Sequence, residues 1–340
     1  MRGINFGRLL GAAMALALLA TAASALADSD LRAQMLLGNP DNAVATGLNR
    51  NHFLIRRRQY SLSYNDTLHF PNWVSWHLNA SDVGNTSRGQ FRPDLGLPKG
   101  FCQITPGDYT RSGYDRGHNC PSGDRSDSPE NNDSVFVMTN MTPQAHGLNG
   151  GPWEQLESYC RDLAKQGNEL YIVCGHGFSS PTHDTIGPAK IAVPDFAWKV
   201  VVVLPNKRGS DLRRMTPRTR VIAVKMPNIN TVSGRQWAEY IVTAAEIEKA
   251  TGLQLFSNIP VATAGAFRTR QDQGIGSIAV PAPERGGTSA TPSPPSPGMV
   301  WVNTRSGAYW LPGTRFYGRT KKGLYMTERD AQKSGYHAAE

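Results

Sequence analysis

The run Tyr114-Asp115-Arg116-Gly117-His118-Asn119-Cys120 is followed about thirty residues later by Asn149-Gly150-Gly151-Pro152-Trp153-Glu154-Gln155-Leu156-Glu157. These residue types suit the cleavage of a phosphodiester. Such a reaction needs a water deprotonated near neutral pH, a pentavalent phosphate whose extra charge is neutralised, and a stabilised leaving alkoxide. His118 is the natural base, since an unperturbed imidazole titrates near ~6.5. Asn149 offers a hard carbonyl oxygen suited to magnesium, an ion that accepts few protein ligands and keeps several waters. Glu157 is placed to accept hydrogen bonds from those waters and orient them. Arg116, and Arg88 upstream, are candidates for clamping phosphate oxygens.

Each residue also has a plain reading. A lone histidine is more often structural than catalytic, and Asp115-Arg116 would serve as a surface ion pair. Asn149-Gly150-Gly151 would serve as a turn leading into a helix. Asp115 is read as structural, orienting Arg116 or the loop. The joint presence of base, cation, metal ligand and carboxylate at compatible spacing favours the chemistry.

The elements that must position them follow from pattern. A helix is expected from Pro152, a favoured first-turn residue, to about Lys165. Trp153, Leu156, Cys160 and Leu163 form its apolar stripe, with Glu157 at the border and Glu154 pointing away. A glutamate at the edge of a buried face needs a partner, either a metal or an arginine, or a salt bridge that holds the helix down. A second helix is expected to start at Ser233, whose relation to Gln236 resembles a capping box, and to stop before Gly252. Ser134–Met138, Leu170–Cys174, Trp198–Leu204 and Val221–Val224 read as strands, the third nearly all apolar and therefore central. Strands with few helices and long loops imply an α+β domain with a mainly antiparallel sheet.

The ends have their own signals. Arg2 and Arg8 precede an uncharged run from Leu9 to Ala23, and Ala25-Leu26-Ala27 offers a small-x-small cleavage site before Asp28. That is the layout of a secretory signal over residues 1–27; the other reading is an uncleaved anchor. No later stretch is apolar enough to span a bilayer, so the mature protein is expected to be soluble and exported, periplasmic or extracellular, without integral membrane contact. The formal charge of +9 falls to +7 once Arg2 and Arg8 are lost, which suits a polyanionic partner as well as plain solubility. Four cysteines remain, Cys102, Cys120, Cys160 and Cys174. In an oxidising compartment they favour two disulfides, and the short-loop pairing is Cys102 with Cys120 and Cys160 with Cys174. Residues 281–299 are rich in Pro, Ser and Gly and read as an extended linker. After it, residues 300–340 carry seven lysines and arginines against three acids, interleaved with Trp301, Tyr309, Trp310, Phe316, Tyr317, Tyr325 and Tyr336. Cations among aromatics suit single-stranded nucleic acid. A small β module with an aromatic core, or one that docks to the cell envelope, fits the same composition.

Asp115-Arg116-Gly117-His118, Thr139-Asn140-Met141-Thr142-Pro143-Gln144 and Asn149-x-x-x-Trp153-x-x-Leu156-Glu157 together resemble the DNA/RNA non-specific endonucleases of the ββα-metal class, the group that includes the Serratia nuclease and mitochondrial endonuclease G. Asn72-Trp73-Val74-Ser75-Trp76, Val193-Pro194-Asp195-x-x-Trp198-Lys199 and Glu246-Ile247-Glu248-x-x-Thr251-Gly252-Leu253 extend the likeness over about residues 45–262. The resemblance implies an endonuclease domain over 28–280 with a ββα-metal motif. It makes His118 the general base, Asn149 the direct protein ligand of one Mg2+ (for which Mn2+ substitutes), Glu157 a carboxylate acting through water, and Arg116 a phosphate contact. The family's upstream arginine corresponds to Arg88, with Arg92 as the rival because Arg88 precedes Asp94 by six positions rather than five. Asn140 is implied to brace the site, while the roles of Asn119 and Cys120 stay open. With no recognition-helix, zinc-finger or RNP-like signature, contacts should fall on the phosphate backbone, so DNA and RNA are both expected as substrates without sequence specificity. The reading from another class is a non-catalytic nucleic-acid or envelope-binding protein on the same scaffold.

Overall fold

The computed structural model describes residues 31–205 and 211–274 and, further on, 299–303, 308–312, 314, 317, 324–333 and 337–339. The expected leader and all of the linker except Met299 lie outside the described residues. The chain divides into two compact units, 1–278 and 279–340.

The larger unit is built on a six-stranded sheet. Strands β1 (Phe53–Arg56), β2 (Ser61–Asn65) and β3 (Phe70–Leu78) form a meander. β4 (Asp115–His118) and β5 (Met141–Gln144) leave it to pair with each other. β6 (Asn168–Gly177) returns to the large sheet, and β7 (Thr185–Ile186) and β8 (Ile191–Ala192) make a small ribbon. β9 (Phe196–Pro205) and β10 (Arg220–Pro227) complete the order β1-β2-β3-β6-β9-β10, antiparallel throughout. The expected α+β, mainly antiparallel architecture is what forms.

Both faces of this sheet are covered, and alternation along each strand divides the core in two. One face carries Val74, Trp76, Leu78, Leu170, Ile172, Val201 and Val203 and packs on helix α1 (Glu154–Lys165) through Leu156, Cys160, Leu163 and Ala164. Each leucine buried there contributes about 1.5–3 kcal/mol. The other face carries Trp73, Tyr171, Val173, Trp198, Val200 and Val202 and packs on α2 (Ala244–Thr251) and α3 (Val261–Thr269). Burial on two sides is why 198–204 reads as one apolar run. β9 is flanked by β6 and β10, although the middle of the sheet is β3 and β6.

Two expected elements differ. Ser134–Met138 is not a strand: a helix capped by Ser128 occupies Pro129–Ser134, a 3-10 turn follows at Met138–Asn140, and a single bridge joins Val137 to Arg92. Val135, Phe136 and Val137 are apolar because the segment threads the core. The helix expected from Ser233 begins later. Gln236 caps a 3-10 turn at Trp237–Tyr240, and α2 starts after Thr243, whose capping box is closed by Glu246. Its end at Gly252, in the left-handed region, is as expected.

The smaller unit has a four-stranded sheet of order β13-β11-β12-β14, from β11 (Met299–Asn303), β12 (Ala308–Trp310), β13 (Leu324–Thr327) and β14 (His337–Ala338). Helix α4 (Glu328–Lys333) contributes Ala331 to a small core with Val300, Val302 and Tyr309. Among the described residues, no helix is long and apolar enough to cross a membrane.

Candidate active site

The register of β4 and β5 sets Asp115 opposite Gln144, Arg116 opposite Pro143, and His118 opposite Met141. Strand alternation then separates two pairs of residues: Arg116 and His118 share one face, Asp115 and Gly117 the other. Gly117 has no room for a side chain, since a Cβ there would lie 2.3 Å from Gln144 Cδ. Gln144 Nε2 in turn lies 3.0 Å from His176 Nε2.

Two phenylalanines frame the first face. The His118 ring lies 5.4 Å from Phe91 and, edge-on, 4.8 Å from Phe136. Arg116 Cζ stands 4.9 Å from the Phe91 centroid and Arg88 Cζ 5.6 Å from that of Phe136. His118 is 8% exposed and its Nε2 has no hydrogen-bond partner. Burial first, and Arg88 second, push its pKa down to about 3, so the ring is neutral at physiological pH. Neither Arg88 nor Arg116 has an ion pair among the described residues, and Arg116 Nε is buried and unpartnered. Arg92 differs. It pairs with Asp133 at 3.0 Å and donates to the Asp133 carbonyl, while Asp94 is answered by Arg57 and, at 2.6 Å, by Thr139. Of the two rivals, Arg88 is therefore the one beside His118.

After β5 the chain forms a short helix at His146–Leu148, passes through a kinked turn over Asn149–Trp153, and continues as α1. Gly151, at φ −115° and ψ −121°, breaks the helical path and kinks the chain between the two helices. The segment is fixed from outside. Asn228 accepts from Ala145 N at 2.8 Å, Asn230 accepts from Gly147 N at 2.9 Å, and a Cβ on Gly147 would lie 2.2 Å from the Asn230 carbonyl. Asn149 Nδ2 donates to Asp115 Oδ2 at 2.9 Å, and His146 Nδ1 lies 2.9 Å from the same oxygen. Asp115 thus orients Asn149 and His146 rather than Arg116.

Glu157 stands on the border of α1, as its position beside the apolar stripe implies, and its partner in a partly buried salt bridge is a lysine rather than an arginine. Lys199 Nζ lies 3.5 Å from Glu157 Oε1, 4.1 Å from the Trp153 centroid and 5.6 Å from that of Trp76. Burial pushes the Glu157 carboxyl up to about 7, with Lys199 pulling it the other way. Lys199 is itself held above the ordinary lysine value by Glu157 and other nearby acidic groups despite its burial.

Asn140 braces the loop after His118. Its Nδ2 donates to the Cys120 and Val135 carbonyls, each at 2.9 Å, and its Oδ1 accepts from Cys120 N at 3.0 Å. Asn119 donates to Asn140 O and to Thr142 Oγ1, each at 3.0 Å. The expected disulfides are a correction. All four cysteines are free thiols. Cys120, Cys160 and Cys174 lie within the core between sheet and α1, where burial pushes Cys160 and Cys174 up to about 12 and Cys174 Sγ donates to Asn119. Cys102 packs with the separate cluster around Phe70 and Ile104, its backbone N–H held by Asp66.

Sequence reasoning missed Phe91, Phe136, Asn228, Asn230 and the position of Lys199. Only the last had a signal, a lysine inside an otherwise apolar strand.

The fold has counterparts in known proteins. The model of the DNA/RNA non-specific endonuclease family matches residues 38–262. A nuclease of Nostoc sp. is 45% identical over 228 residues, covering 66% of this chain and 81% of that protein. Mitochondrial nuclease EXOG of Xenopus laevis is 33% identical over 217 residues, 59% of this chain and 58% of its own length. A chain in the crystal structure of the EndoG/EndoGI complex superposes with a TM-score of 0.57 at 26% identity, covering 68% of this chain and 93% of that one. The hairpin-and-helix unit that carries His118 and Asn149 falls inside the matched range, and the chain belongs to the DNA/RNA non-specific endonuclease family.

Proposed function

We propose that this enzyme is an exported, magnesium-dependent endonuclease that hydrolyses DNA and RNA without regard to sugar or sequence. The observation that carries the reading is the arrangement around Phe91 and Phe136. A neutral imidazole with an unpaired Nε2 stands between two arginines that no described carboxylate answers. Guanidinium groups left without acids call for an anion, and a phosphodiester supplies one with oxygens matched to their fork geometry.

In this scheme Arg88 and Arg116 hold the non-bridging oxygens of the scissile phosphate. His118 accepts one proton from a water as the water oxygen bonds to phosphorus. One phosphorus–oxygen ester bond then breaks, its electron pair leaving with the departing oxygen. Burial, and after it Arg88, hold this imidazole down to about 3, where it is a weak base; the negative charge of a bound phosphate acts in the opposite direction to Arg88.

The donor set fits magnesium. Asn149 has its amide nitrogen tied to Asp115, which leaves its Oδ1 as a fixed, neutral, hard ligand, and Glu157 is the carboxylate two turns along. Asn149 directly, and Glu157 through water, would hold the ion, with manganese as a substitute. When bound, a divalent ion supplies positive charge to the phosphate and the leaving oxygen. Export is supported by Arg2 and Arg8 before the apolar run Leu9–Ala23 and by Ala25-Leu26-Ala27, with the periplasm or the medium as destination.

The test is digestion of plasmid and of RNA by metal-stripped protein with Mg2+, Mn2+ or EDTA. Cleavage of both polymers with either metal and of neither in EDTA is expected. Full cleavage in EDTA would overturn the metal requirement, and cleavage of one polymer alone would overturn sugar indifference.

A further inference from the structure

Lys199 lies on β9, paired with Cys174 on β6 and Val224 on β10, and is 1% exposed. By strand parity it shares the face of Ala197, Val201 and Val203, which packs towards α1. An aliphatic residue would fill that place at no electrostatic cost, whereas an ammonium taken out of water costs several kcal/mol unless it is answered. The surroundings show what answers it. The thiols of Cys160 and Cys174, which neighbour it, are neutral at physiological pH. Asp124, the other carboxylate that acts on Lys199, has both oxygens engaged, one by Trp76 Nε1 at 3.0 Å and one by Arg161 at 3.2 Å. Its closest partners are Glu157 at 3.5 Å and the Trp153 ring at 4.1 Å, with the Trp76 ring of β3 further off at 5.6 Å.

Trp153 and Glu157 are one helical turn apart. Trp153 closes the kinked turn that begins at Asn149, and Glu157 lies in the first turn of α1. A single buried cation therefore grips the turn that carries the proposed metal ligand and the carboxylate that follows it, and anchors both to a rigid interior strand.

We propose that Lys199 is a positioning residue of the nuclease site, which holds the Asn149–Glu157 segment in its ion-binding arrangement through Trp153 and Glu157. The inference rests on the proposed role of Glu157 at the ion. Lys199 touches no substrate atom in this scheme, so its loss should weaken ion binding and turnover while leaving nucleic-acid affinity to Arg88 and Arg116. Partners of this outer kind are typically worth ~10–100-fold in metal affinity or activity.

The experiment is Mn2+ titration of the full-length protein, followed by electron paramagnetic resonance without nucleic acid, on wild type, Lys199→Met, Glu157→Gln and the double variant. Methionine keeps the length and removes the charge. Near-UV circular dichroism reports folding, and Lys199→Gln is the second variant should methionine not be accommodated. Expected is a loss of Mn2+ affinity of ~10–100-fold in the folded Lys199 variant, a comparable loss in Glu157→Gln, and no further loss in the double variant. Wild-type Mn2+ affinity in a folded, charge-neutral Lys199 variant overturns the proposal, as does failure of both Lys199 variants to fold, which would make the residue scaffold. Additive losses in the double variant would also overturn the route through Glu157. Wild-type affinity in Glu157→Gln would instead remove the underlying reading of that carboxylate.

Discussion

Asp115 Oδ2 accepts from Asn149 Nδ2 at 2.9 Å, across 34 residues of sequence. The bond decides which end of the Asn149 amide is free. With the nitrogen held, only Oδ1 is left to bind an ion, and it cannot be exchanged for Nδ2 by rotation of the amide without loss of that bond. Asp115 and Asn149 are thus one unit, strand holding helix.

Asp115→Ala should therefore behave as a lesion of ion binding. Outer partners that fix a ligand's orientation are typically worth ~10–100-fold in metal affinity or activity. Direct Mn2+ titration of the folded variant checks this, with a loss in that range expected and raised Mn2+ expected to restore part of the turnover. Unchanged Mn2+ affinity would return Asp115 to a purely structural role.

His118→Ala should lose ~10²–10⁴ in turnover, the usual worth of general-base catalysis, with nucleic-acid binding retained. The upstream arginines should separate. Arg88→Ala should lower turnover because its guanidinium stands beside the base without an acid partner, whereas Arg92→Ala should act mainly on stability by removing the ion pair and hydrogen bond to Asp133. Single-turnover rates and melting temperatures of the two variants distinguish these outcomes. A reversed pattern would make Arg92 the phosphate-binding arginine.

Much of this was legible in the chain, and the unread part has a physical cause. The proposed base, the proposed ion ligand and the helix from Pro152 carry local signals: residue type, spacing and a first-turn proline. The two phenylalanines that desolvate His118 come from a loop at Phe91 and from a core-threading segment at Phe136, and no local pattern joins them to the histidine. Phe136 sits in the run read as a strand because apolar β-branched neighbours signal burial without saying whether a ladder partner exists. The same limit applies to Ser233 and Gln236, where a cap-like spacing starts no α-helix, Gln236 instead capping a 3-10 turn, and the box that opens α2 is Thr243 with Glu246. Lys199 was visible as a misfit in an apolar strand, but its partner lies 42 residues away on another element.

His176 gives a stability prediction. Burial, then Lys199, lowers its pKa to about 3, below the unfolded value of 6.5. A group depressed in the folded state contributes its full stability above the unfolded pKa and loses it as pH falls from there towards the folded one. At pH 5 the loss is about 2 kcal/mol for such a histidine. Glu157 titrates in the opposite sense and His118 in the same one, so the comparison must be between variants. Denaturant unfolding at pH 7 and pH 5 should show His176→Asn losing about 2 kcal/mol less than wild type across that interval. An equal loss in both would mean that His176 is protonated as easily in the folded protein as in the unfolded one.

In the smaller unit the two faces of the sheet carry different residues. Val300 and Val302 on β11 form a core with Tyr309 and Ala331, so Trp301 lies on the opposite face. Its register partner on β12 is Trp310, so two tryptophans stand side by side on that face. Residues 300–340 also carry a net charge of +4. Stacking bases on such a pair while cations follow the phosphates is how single strands are held, at ~1–3 kcal/mol per stacked base. A protein ending near residue 280 keeps the six-stranded sheet and its two cores, and should fold and cleave. Its affinity for long polyanions should fall, and the slope of log affinity against log salt should shrink by about 0.7–0.9 for each phosphate that is no longer neutralised. Trp301→Ala in the full chain should weaken single-stranded binding while leaving that slope nearly unchanged, because stacking releases no counterions. If truncation leaves both affinity and slope as they were, the tryptophan pair serves the envelope-docking or purely structural reading of this unit instead.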